Sequence, residues 1–410
     1  MFGALRDRIR SLGPGLLLAA AGIGAGDVVV ASVTGIQHGT TLLWAVAATA
    51  ALKFVLTEGL ARWQLASGET VVRAWITRLP RWVGIYFAGY LLIWTFLVGA
   101  SLSSACGLAG ASLFPGLSVP ASAAIHAAAA ALLVGLNRYA RFQRLMKMLI
   151  AVMALCVLVC AVLASPSAGA VATGLLVPLI PAEGGGGAVL ALLGGIGGSL
   201  TVVCYAYWMR AAGWRGAERL AEVRGDVRLA YVFTGLFGIA LMIIAAGVDA
   251  HGAGGTRIAL EIAARLEAVA GPAAGWIFLL GFWCTVFTAM LGVWQGVPLV
   301  YVDAIAAWRR GAAGNAERVE RRVYLAALAY IAGPPLVLLW FKQPVAIVVT
   351  FSIAGAFFMP FLAGALLYLN NRRDWMGALA NGRAGNVALA VCLLVFGAVS
   401  VREIALALGW

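Results

Sequence analysis

Two groups of glycines, each inside an apolar stretch, carry the clearest chemical meaning in this sequence. Gly22, Gly24 and Gly26 interrupt the first stretch at its centre, and Asp27 follows them. Glycine weakens a helix by about 1 kcal/mol relative to alanine, so we expect this helix to be broken halfway. Exposed backbone at membrane depth must face protein or a watery cavity, and a carboxylate at the bilayer centre costs about 2.5 to 3.5 kcal/mol. The pattern therefore favours a transport site around Asp27 over a glycine-packed helix contact with a structural salt bridge.

The sixth apolar stretch contains the second group of glycines. Gly194, Gly195, Gly197 and Gly198 crowd its middle. Interrupted helices at corresponding positions of two repeats are typical of a transporter's binding site. The alternative is a pair of unrelated small-residue packing faces.

The composition predicts a membrane protein built as one bundle. Of 410 residues, 63% are hydrophobic and 11% charged, and the mean hydropathy is +0.97, well outside the range of soluble domains. The first ten residues are basic, but the apolar stretch behind them is too long and too interrupted for a signal peptide, so we expect it to remain as the first span. The six cysteines lie in apolar stretches without a CxxC pattern, which indicates small core residues.

Apolar runs long enough to cross a bilayer define eleven predicted spans. In chain order, α1 to α11 cover residues 13–36, 41–64, 82–112, 120–137, 146–166, 187–209, 228–249, 272–305, 323–341, 344–370 and 385–408. Basic residues cluster before α1 and in every second connection, whereas the alternate connections carry only Arg257, Arg265 and Lys342. By the positive-inside rule we expect a cytoplasmic amino terminus, a carboxyl terminus outside and a bacterial inner membrane as the location. The net charge of +13 is then a sign of topology and of contact with the lipid bilayer, not of nucleic-acid binding.

Four segments are distinctive: Gly-Pro-Gly at 13–15, KFVLTEGLARWQLASGET at 53–70, GLLVPLIP at 174–181 and MPFLAGALLYLNNRRDWMG at 359–377. In this order they resemble the Nramp family of divalent-metal transporters. The resemblance implies an all-α membrane protein of the LeuT type, an inverted repeat of 5+5 transmembrane helices plus an eleventh helix, with α1 and α6 broken at mid-membrane. Residues 1–410 then form a single transporter domain, with repeat one at about 13–166, repeat two at about 187–370 and α11 at about 385–408.

The family's metal-binding motifs do not carry over to this sequence. Family members bind a transition metal with Asp-Pro-Gly-Asn in α1 and Met-Pro-His in α6. Here Gly24–Asp27 reads Gly-Ala-Gly-Asp, so that glycine stands at the metal-binding carboxylate position, and Thr201–Val203 reads Thr-Val-Val. Soft metals prefer sulfur or imidazole, and hard cations need several oxygens. We therefore expect no metal site of the family's kind, with Asp27 as the candidate ligand if a metal is carried.

Two further family positions are occupied by serine. The acidic pair associated with proton movement in α3 corresponds to Ser101 and Ser104, and a glutamine of α10 corresponds to Ser352. Proton coupling by the family's route is therefore not expected.

Aromatic and hydroxylated residues surround the predicted breaks. They are Tyr205, Tyr207 and Trp208 in α6, Trp294 and Gln295 in α8, and Phe357 and Phe358 in α10. Rings offer flat apolar faces, and hydroxyl and amide groups satisfy the polar edges of a neutral solute. This favours a small polar organic cargo such as a sugar. The predicted solute contacts are Gly24, Ala25, Gly26, Asp27, Gly197, Gly198, Thr201, Tyr205, Trp294, Gln295, Ser352 and Phe357.

Other charges inside the spans need partners. Lys53 in α2 lies deep enough to form a coupling or charge pair with Asp27, which would leave Asp27 less able to bind sodium or to carry protons. Glu58 can reach Arg62 at i+4 spacing, and Asp303 is expected to pair with a cytoplasmic arginine.

These features predict a secondary transporter or uniporter that works by alternating access, without a cofactor and with a proton, sodium or no ion as coupling partner. One alternative is a divalent-cation transporter (manganese, iron or magnesium) with a rearranged site. A second is a receptor-like protein that does not transport. We expect no enzyme, because no His, Cys or Ser constellation has catalytic spacing; His38, His126 and His251 lie far apart.

Overall fold

The fold is all-helical in the part of the chain that the structure describes. A computed structural model of the protein describes residues 13–136, 139–164, 166–248, 256–309 and 316–407. The basic residues 1–10, His251 and the predicted ends of α4 and α7 at residues 137 and 249 lie outside these ranges. Within them, nine helices are long and apolar enough to cross a membrane, and a bent pair and one shorter apolar helix complete the eleven predicted spans.

The described helices follow the predicted order. The first span comprises α1a (Pro14–Gly22) and α1b (Gly26–His38), bent by 50°. The unbroken spans are α2 (Leu43–Ser67), α3 (Arg81–Leu113), α4 (Val119–Gly135), α5 (Tyr139–Leu163), α7 (Leu220–Ala245), α8 (Pro272–Trp308) and α11 (Arg383–Ala407). The sixth span comprises α6a (Gly185–Gly195) and α6b, a 3-10 turn at Leu200–Cys204 that continues as the α-helix Tyr205–Ala211. α9 (Ala316–Ala332) passes into a 3-10 segment at Pro334–Phe341, and the tenth span comprises α10a (Pro344–Ala356) and α10b (Phe358–Asn370).

Four α-helices of the connections lie outside the predicted spans. They are Val71–Thr77, Ala168–Leu176, the single turn Arg373–Met376 and Thr256–Ala270. The last is amphipathic: Ile262 and Leu266 are buried, whereas Arg257 and Glu261 form a surface ion pair. An amphipathic helix has too few apolar residues to register as a span.

Local backbone conformation explains both breaks. α1a begins with Pro14 at its first position, which suits the fixed φ of proline, and ends where Ile23 turns to an extended conformation with ψ 94°. In the sixth span Gly197 and Gly198 have φ of +71° and +75°. Two successive residues in the left-handed region cannot continue a right-handed helix, and glycine adopts that region without steric penalty.

Small residues at helix contacts in the core let helices approach closely. An added Cβ at Gly292 in α8 would lie 2.5 Å from the Cβ of Ala21 in α1a, a spacing typical of helix contacts in membranes. The opposite surfaces are apolar as well: Leu132, Val162 and Leu394 are well exposed. An apolar surface of this kind suits a lipid environment, and the chain is a multi-pass membrane protein. We name the end of the bundle where α1a begins the inner end, and the end where α1b finishes the outer end.

Candidate functional site

Asp27 joins the two breaks. It is fully buried and lies in the first turn of α1b. One carboxylate oxygen accepts the N–H of Gly24 at 3.0 Å, which satisfies a free donor at the start of a helix as an acidic residue does in a capping box. The other accepts the N–H of Gly197 at 3.1 Å. The carboxylate thus fixes the start of α1b to the break in the sixth span.

Lys53 reaches the same break from the other side. It is fully buried in α2, and its ammonium donates to the carbonyl of Gly194 at 3.1 Å. It also donates to the carbonyls of Ile196 and Gly198. These carbonyls belong to the end of α6a and the residues after it, where backbone acceptors lack partners within the helix.

A single peptide unit relates the two buried charges. The peptide that joins Ile196 to Gly197 offers its C=O to Lys53 and its N–H to Asp27. Among the ion pairs of the described residues there is no direct Asp27–Lys53 contact. The pairing predicted from the sequence is therefore arranged through the backbone of the break, with one charge at each end of a peptide dipole.

Glycines bring the two breaks into backbone contact. An added Cβ at Gly26 would lie 2.6 Å from the Cα of Gly195, and one at Gly22 would lie 3.2 Å from the carbonyl carbon of Gly197. On the far side of α6a, a Cβ at Gly194 would clash with the carbonyl oxygen of Ser352. In this conformation the space between the breaks is filled by backbone, so a solute there requires the halves to separate.

The hydroxyl groups near the breaks differ in whether they have a hydrogen-bond partner. Ser199 accepts a hydrogen bond from the indole N–H of Trp94 at 2.7 Å, and Ser352 donates to its own helix. By contrast, the buried hydroxyls of Ser101, Ser103 and Ser104 have no hydrogen-bond partner among the described residues. Ser101 lies two helical turns from Trp94 on α3, and therefore on the same face. Unpartnered buried hydroxyls on this face are available to a ligand or water in another state of the protein.

Tyr205, a predicted solute contact, and Tyr207, which follows it in α6b, both bind carboxylates at the inner end. Tyr205 donates to Asp226 at 2.9 Å, and Asp226 also accepts the N–H of Gly15 at 2.5 Å. Tyr207 donates to Asp303 at 3.0 Å.

Thr70 also donates to Asp303, so the partners of this carboxylate among the described residues are hydroxyl groups, and the predicted pairing with a cytoplasmic arginine is not found among them. Glu58 does pair with Arg62 at 3.3 Å, as predicted, and with Arg224 at 2.8 Å.

The remaining predicted contacts are dispersed. Gln295 accepts from the indole N–H of Trp208 at 2.7 Å, whereas the buried indole N–H of Trp294 has no partner among the described residues. Thr201 is buried next to Gly198, and Phe357 is half-buried at the junction of α10a and α10b.

An apolar cleft opens towards the outer end. It is lined by Val28, Val29, Ser32, Leu108, Ile258, Ala259, Ile262, Phe278, Phe282 and Val345. Ser32 supplies its single hydroxyl. Because Val28 and Val29 of α1b line it, the cleft begins directly beyond Asp27 along that helix.

Within the described residues, no group of three or more His, Cys, Asp or Glu side chains is placed to hold a metal ion. The six cysteines are buried and free. His126 accepts the indole N–H of Trp283 at Nε2, which leaves its Nδ1–H to donate to the carbonyl of Ser122. Any cation at the breaks would therefore be held by oxygens.

Comparison with known proteins gives the family and the fold. The family model described as natural resistance-associated macrophage protein-like matches residues 15–406, whereas sequence comparison with curated proteins finds no match. A mutant manganese transporter of Eremococcus coleocola has a similar structure, with a TM-score of 0.77, 16% identity and coverage of 96% of this chain and 86% of that one.

Two transporters of other families share the architecture. Mhp1, a nucleobase-cation-symport-1 family transporter, gives a TM-score of 0.55 at 15% identity over 96% of this chain and 93% of its own. MhsT in complex with L-phenylalanine gives 0.51 at 14% identity over 93% and 97%. These likenesses confirm the LeuT-like inverted repeat with broken α1 and α6. Since the family model covers nearly the whole chain, the protein belongs to the natural resistance-associated macrophage protein (Nramp) family of transporters.

Proposed function

We propose that this protein is a secondary transporter that moves a small solute past the paired breaks of α1 and the sixth span by alternating access. The observation that carries the proposal is the meeting of both breaks at one peptide unit, held by Asp27 and Lys53. Broken helices at corresponding positions of two repeats mark the binding site of transporters of this architecture. Family membership supports the same conclusion.

For the cargo, we propose a hard divalent cation, manganese or magnesium, in preference to a sugar. The manganese transporter among the similar structures supports a metal. The oxygen atoms near the breaks that could bind a cation are those of the Asp27 carboxylate and the neighbouring hydroxyl of Thr201, whereas the carbonyls of Gly194, Ile196 and Gly198 accept hydrogen bonds from Lys53. Oxygen ligands with negative charge among them suit hard cations, not soft ones.

The structure offers less support for a sugar. Stacking on a sugar would need free aromatic faces and hydroxyls at the breaks. Tyr205 and Tyr207 instead bind Asp226 and Asp303, and Phe358 packs against Trp75. The observation that favours a neutral organic solute is that Lys53 already supplies a cation to the carbonyls of the break.

Transport by proteoliposomes that contain a fluorescent manganese indicator tests the proposal. We expect uptake of Mn²⁺ by the wild type, competition by Mg²⁺, and a loss of about 10-fold or more in Asp27→Ala, since removal of even an indirect metal partner costs about 10- to 100-fold. Asp374→Ala is the matched control, because Asp374 forms an exposed ion pair with Arg372, and it should transport as the wild type does. Uptake that is equal in Asp27→Ala, or no uptake beyond empty liposomes, would contradict the cation proposal.

If Mn²⁺ uptake fails, ligand-induced thermal stabilisation separates the remaining possibilities. Stabilisation by sugars or amino acids would indicate an organic cargo, and no stabilisation by any solute would indicate a receptor-like protein.

For the orientation, we propose an inner membrane with the inner end in the cytoplasm, because the basic connections follow the positive-inside rule.

A further inference from the structure

Lys53 occupies a position where backbone carbonyls converge. Its ammonium contacts three of them, from Gly194, Ile196 and Gly198, and the side chain has no exposed surface. An ammonium carries three N–H donors and no acceptor. The three carbonyls therefore match its donors one for one, and the group needs neither water nor a carboxylate within contact distance.

The same carbonyls form the kind of site that binds a free cation. The end of α6a carries the negative end of a helix dipole and unpaired C=O groups. In discontinuous helices of transporters, such carbonyls coordinate cations. The left-handed φ of +71° at Gly197 lets the chain change direction between the carbonyls of Ile196 and Gly198, and glycine adopts this conformation without strain.

The buried charges around this site are balanced. Asp27 carries the negative charge on the N–H side of the Ile196–Gly197 peptide, and Lys53 carries the positive charge on its C=O side. The other polar contact next to Lys53 is neutral, a hydrogen bond of 2.8 Å between Thr57 and Tyr231. Removal of the ammonium would leave three carbonyls and one carboxylate without a cation, which is costly in a buried site.

We propose that the Lys53 ammonium is a tethered cation that fills a carbonyl-lined site in the break of the sixth span, and that this site takes a free monovalent cation or a small primary ammonium once Lys53 is removed. The site is then blocked to external ions in the wild type. The inference is linked to the proposed function in one respect only. A cargo cation that bound these three carbonyls would have to displace the Lys53 ammonium.

Thermal unfolding of purified protein in lipid nanodiscs tests the inference. Wild type, Lys53→Ala and Lys53→Gln are compared at constant ionic strength in chloride salts of N-methyl-D-glucamine, sodium, potassium and ethylammonium. We expect the Tm of the wild type to be independent of the cation. The Tm of Lys53→Ala should be lowest in N-methyl-D-glucamine, which is too large for the site, and should rise by about 2 °C or more in sodium or ethylammonium.

Lys342→Met is the matched control, because Lys342 is exposed and its loss should create no response to the cation. Lys53→Gln keeps an N–H donor and most of the side-chain length, so it covers the case in which Lys53→Ala does not fold; it should show the same order of salts. Folded Lys53 variants with the same Tm in all four salts would overturn the inference.

The outcome is separable from that of the proposed function. A cation response in the Lys53 variants without Mn²⁺ uptake by the wild type supports the tethered cation and contradicts the cargo. Mn²⁺ uptake by the wild type without a cation response in the Lys53 variants supports the proposed cargo and contradicts the tethered cation.

Discussion

Asp27 lies between two broken helices and accepts one backbone N–H from each. Both carboxylate oxygens are therefore engaged in the conformation described, and a metal ligand role requires at least one of these bonds to open. This makes Asp27 a candidate for coupling cargo binding to the separation of the breaks. By its resemblance to the family's Asp-Pro-Gly-Asn motif, Gly24–Asp27 places Asp27 at the position of an asparagine, and an amide could accept at only one of its two terminal atoms.

The first prediction follows from that difference. Asp27→Asn should lower the free energy of unfolding by about 1–3 kcal/mol, because the amide nitrogen would face a backbone N–H and leave a buried donor unsatisfied. Asp374→Asn removes a carboxylate from an exposed ion pair and should change stability by less than about 1 kcal/mol. Thermal unfolding followed by circular dichroism measures both. Equal stability of the two variants would show that the Asp27 hydrogen bonds contribute nothing to the fold.

Lys53 shows the limit of prediction at the scale of a residue. Its depth in α2 and its charge are readable from the sequence, and so was Asp27 as its expected partner. The carbonyls that it contacts lie more than 140 positions further along the chain. Neither hydropathy nor spacing reports a side chain that binds backbone, because every residue carries the same carbonyl group.

At the scale of the element, glycine spacing predicted the breaks correctly because their backbone requires glycine in two different ways. Gly197 and Gly198 adopt positive φ, which is a local requirement visible in residue type. Gly26 meets a different requirement, since it permits the backbone of α6a to approach. Both requirements select glycine, so the sequence gives no means of telling a hinge from a contact.

The second prediction separates contact from hinge. Gly26→Ala places a Cβ 2.6 Å from the Cα of Gly195, and the added methyl in a filled space should cost about 1–3 kcal/mol of stability. Gly89→Ala is the matched control, because Gly89 lies within α3, is exposed, and has nothing within 4 Å of an added Cβ. There alanine should stabilise the helix by about 0.5–1 kcal/mol. Tm shifts of opposite sign are expected; a stabilising Gly26→Ala would mean that the two breaks are not in contact.

Other elements departed from prediction where periodicity gives a weak signal. The amphipathic helix Thr256–Ala270 was not predicted, because continuous apolar runs identify spans and not amphipathic helices. α9 loses its α-helical geometry at Pro334 and Pro335 and finishes as a 3-10 segment, since proline lacks the N–H that an α-helix needs. Neither departure changes the position of the two breaks, but the helix Thr256–Ala270 contributes Ile258, Ala259 and Ile262 to the cleft at the outer end.

At the scale of the whole molecule, the spans and their order were predictable because the bilayer forces each helix to satisfy its backbone internally and to be apolar along its length. The contacts that set the conformational state were not. Tyr205 is predicted as a solute contact because it follows a break, and in the structure it donates to Asp226 at the inner end, where the nearby Tyr207 donates to Asp303. That assignment needs the tertiary arrangement of α6b against α7 and α8.

These two tyrosine–carboxylate contacts close the inner end. Asp226 of α7 holds both Tyr205 of α6b and the start of α1a at Gly15, and Asp303 of α8 holds Tyr207 of α6b. α1a and α6b are the half-helices that lie on the inner-end side of the two breaks. The contacts therefore stabilise a state in which the inner end is closed, while the cleft beside α1b lies towards the outer end.

The last prediction concerns that balance. Tyr205→Phe and Tyr207→Phe each remove one hydroxyl donor, worth about 1 kcal/mol, from contacts that exist only in the closed state, so each should raise the population with an open inner end about fivefold. Cys204 in α6b is fully buried against Gly296 of α8 and reports this opening. In variants that keep Cys204 as the single cysteine, the rate of thiol labelling should rise about fivefold for either substitution and by the product for both, if the contacts act independently.

Tyr301→Phe is the control for this measurement. Tyr301 donates to Thr95 at 2.9 Å and joins α8 to α3, so its loss removes a similar hydrogen bond without releasing α6b. Labelling of Cys204 should stay at the wild-type rate in Tyr301→Phe. Because labelling reports the open population while the Tm reports global stability, a Tyr205→Phe protein that loses stability without faster labelling would show that the contact supports the fold alone, and the inner end would need another element to close it.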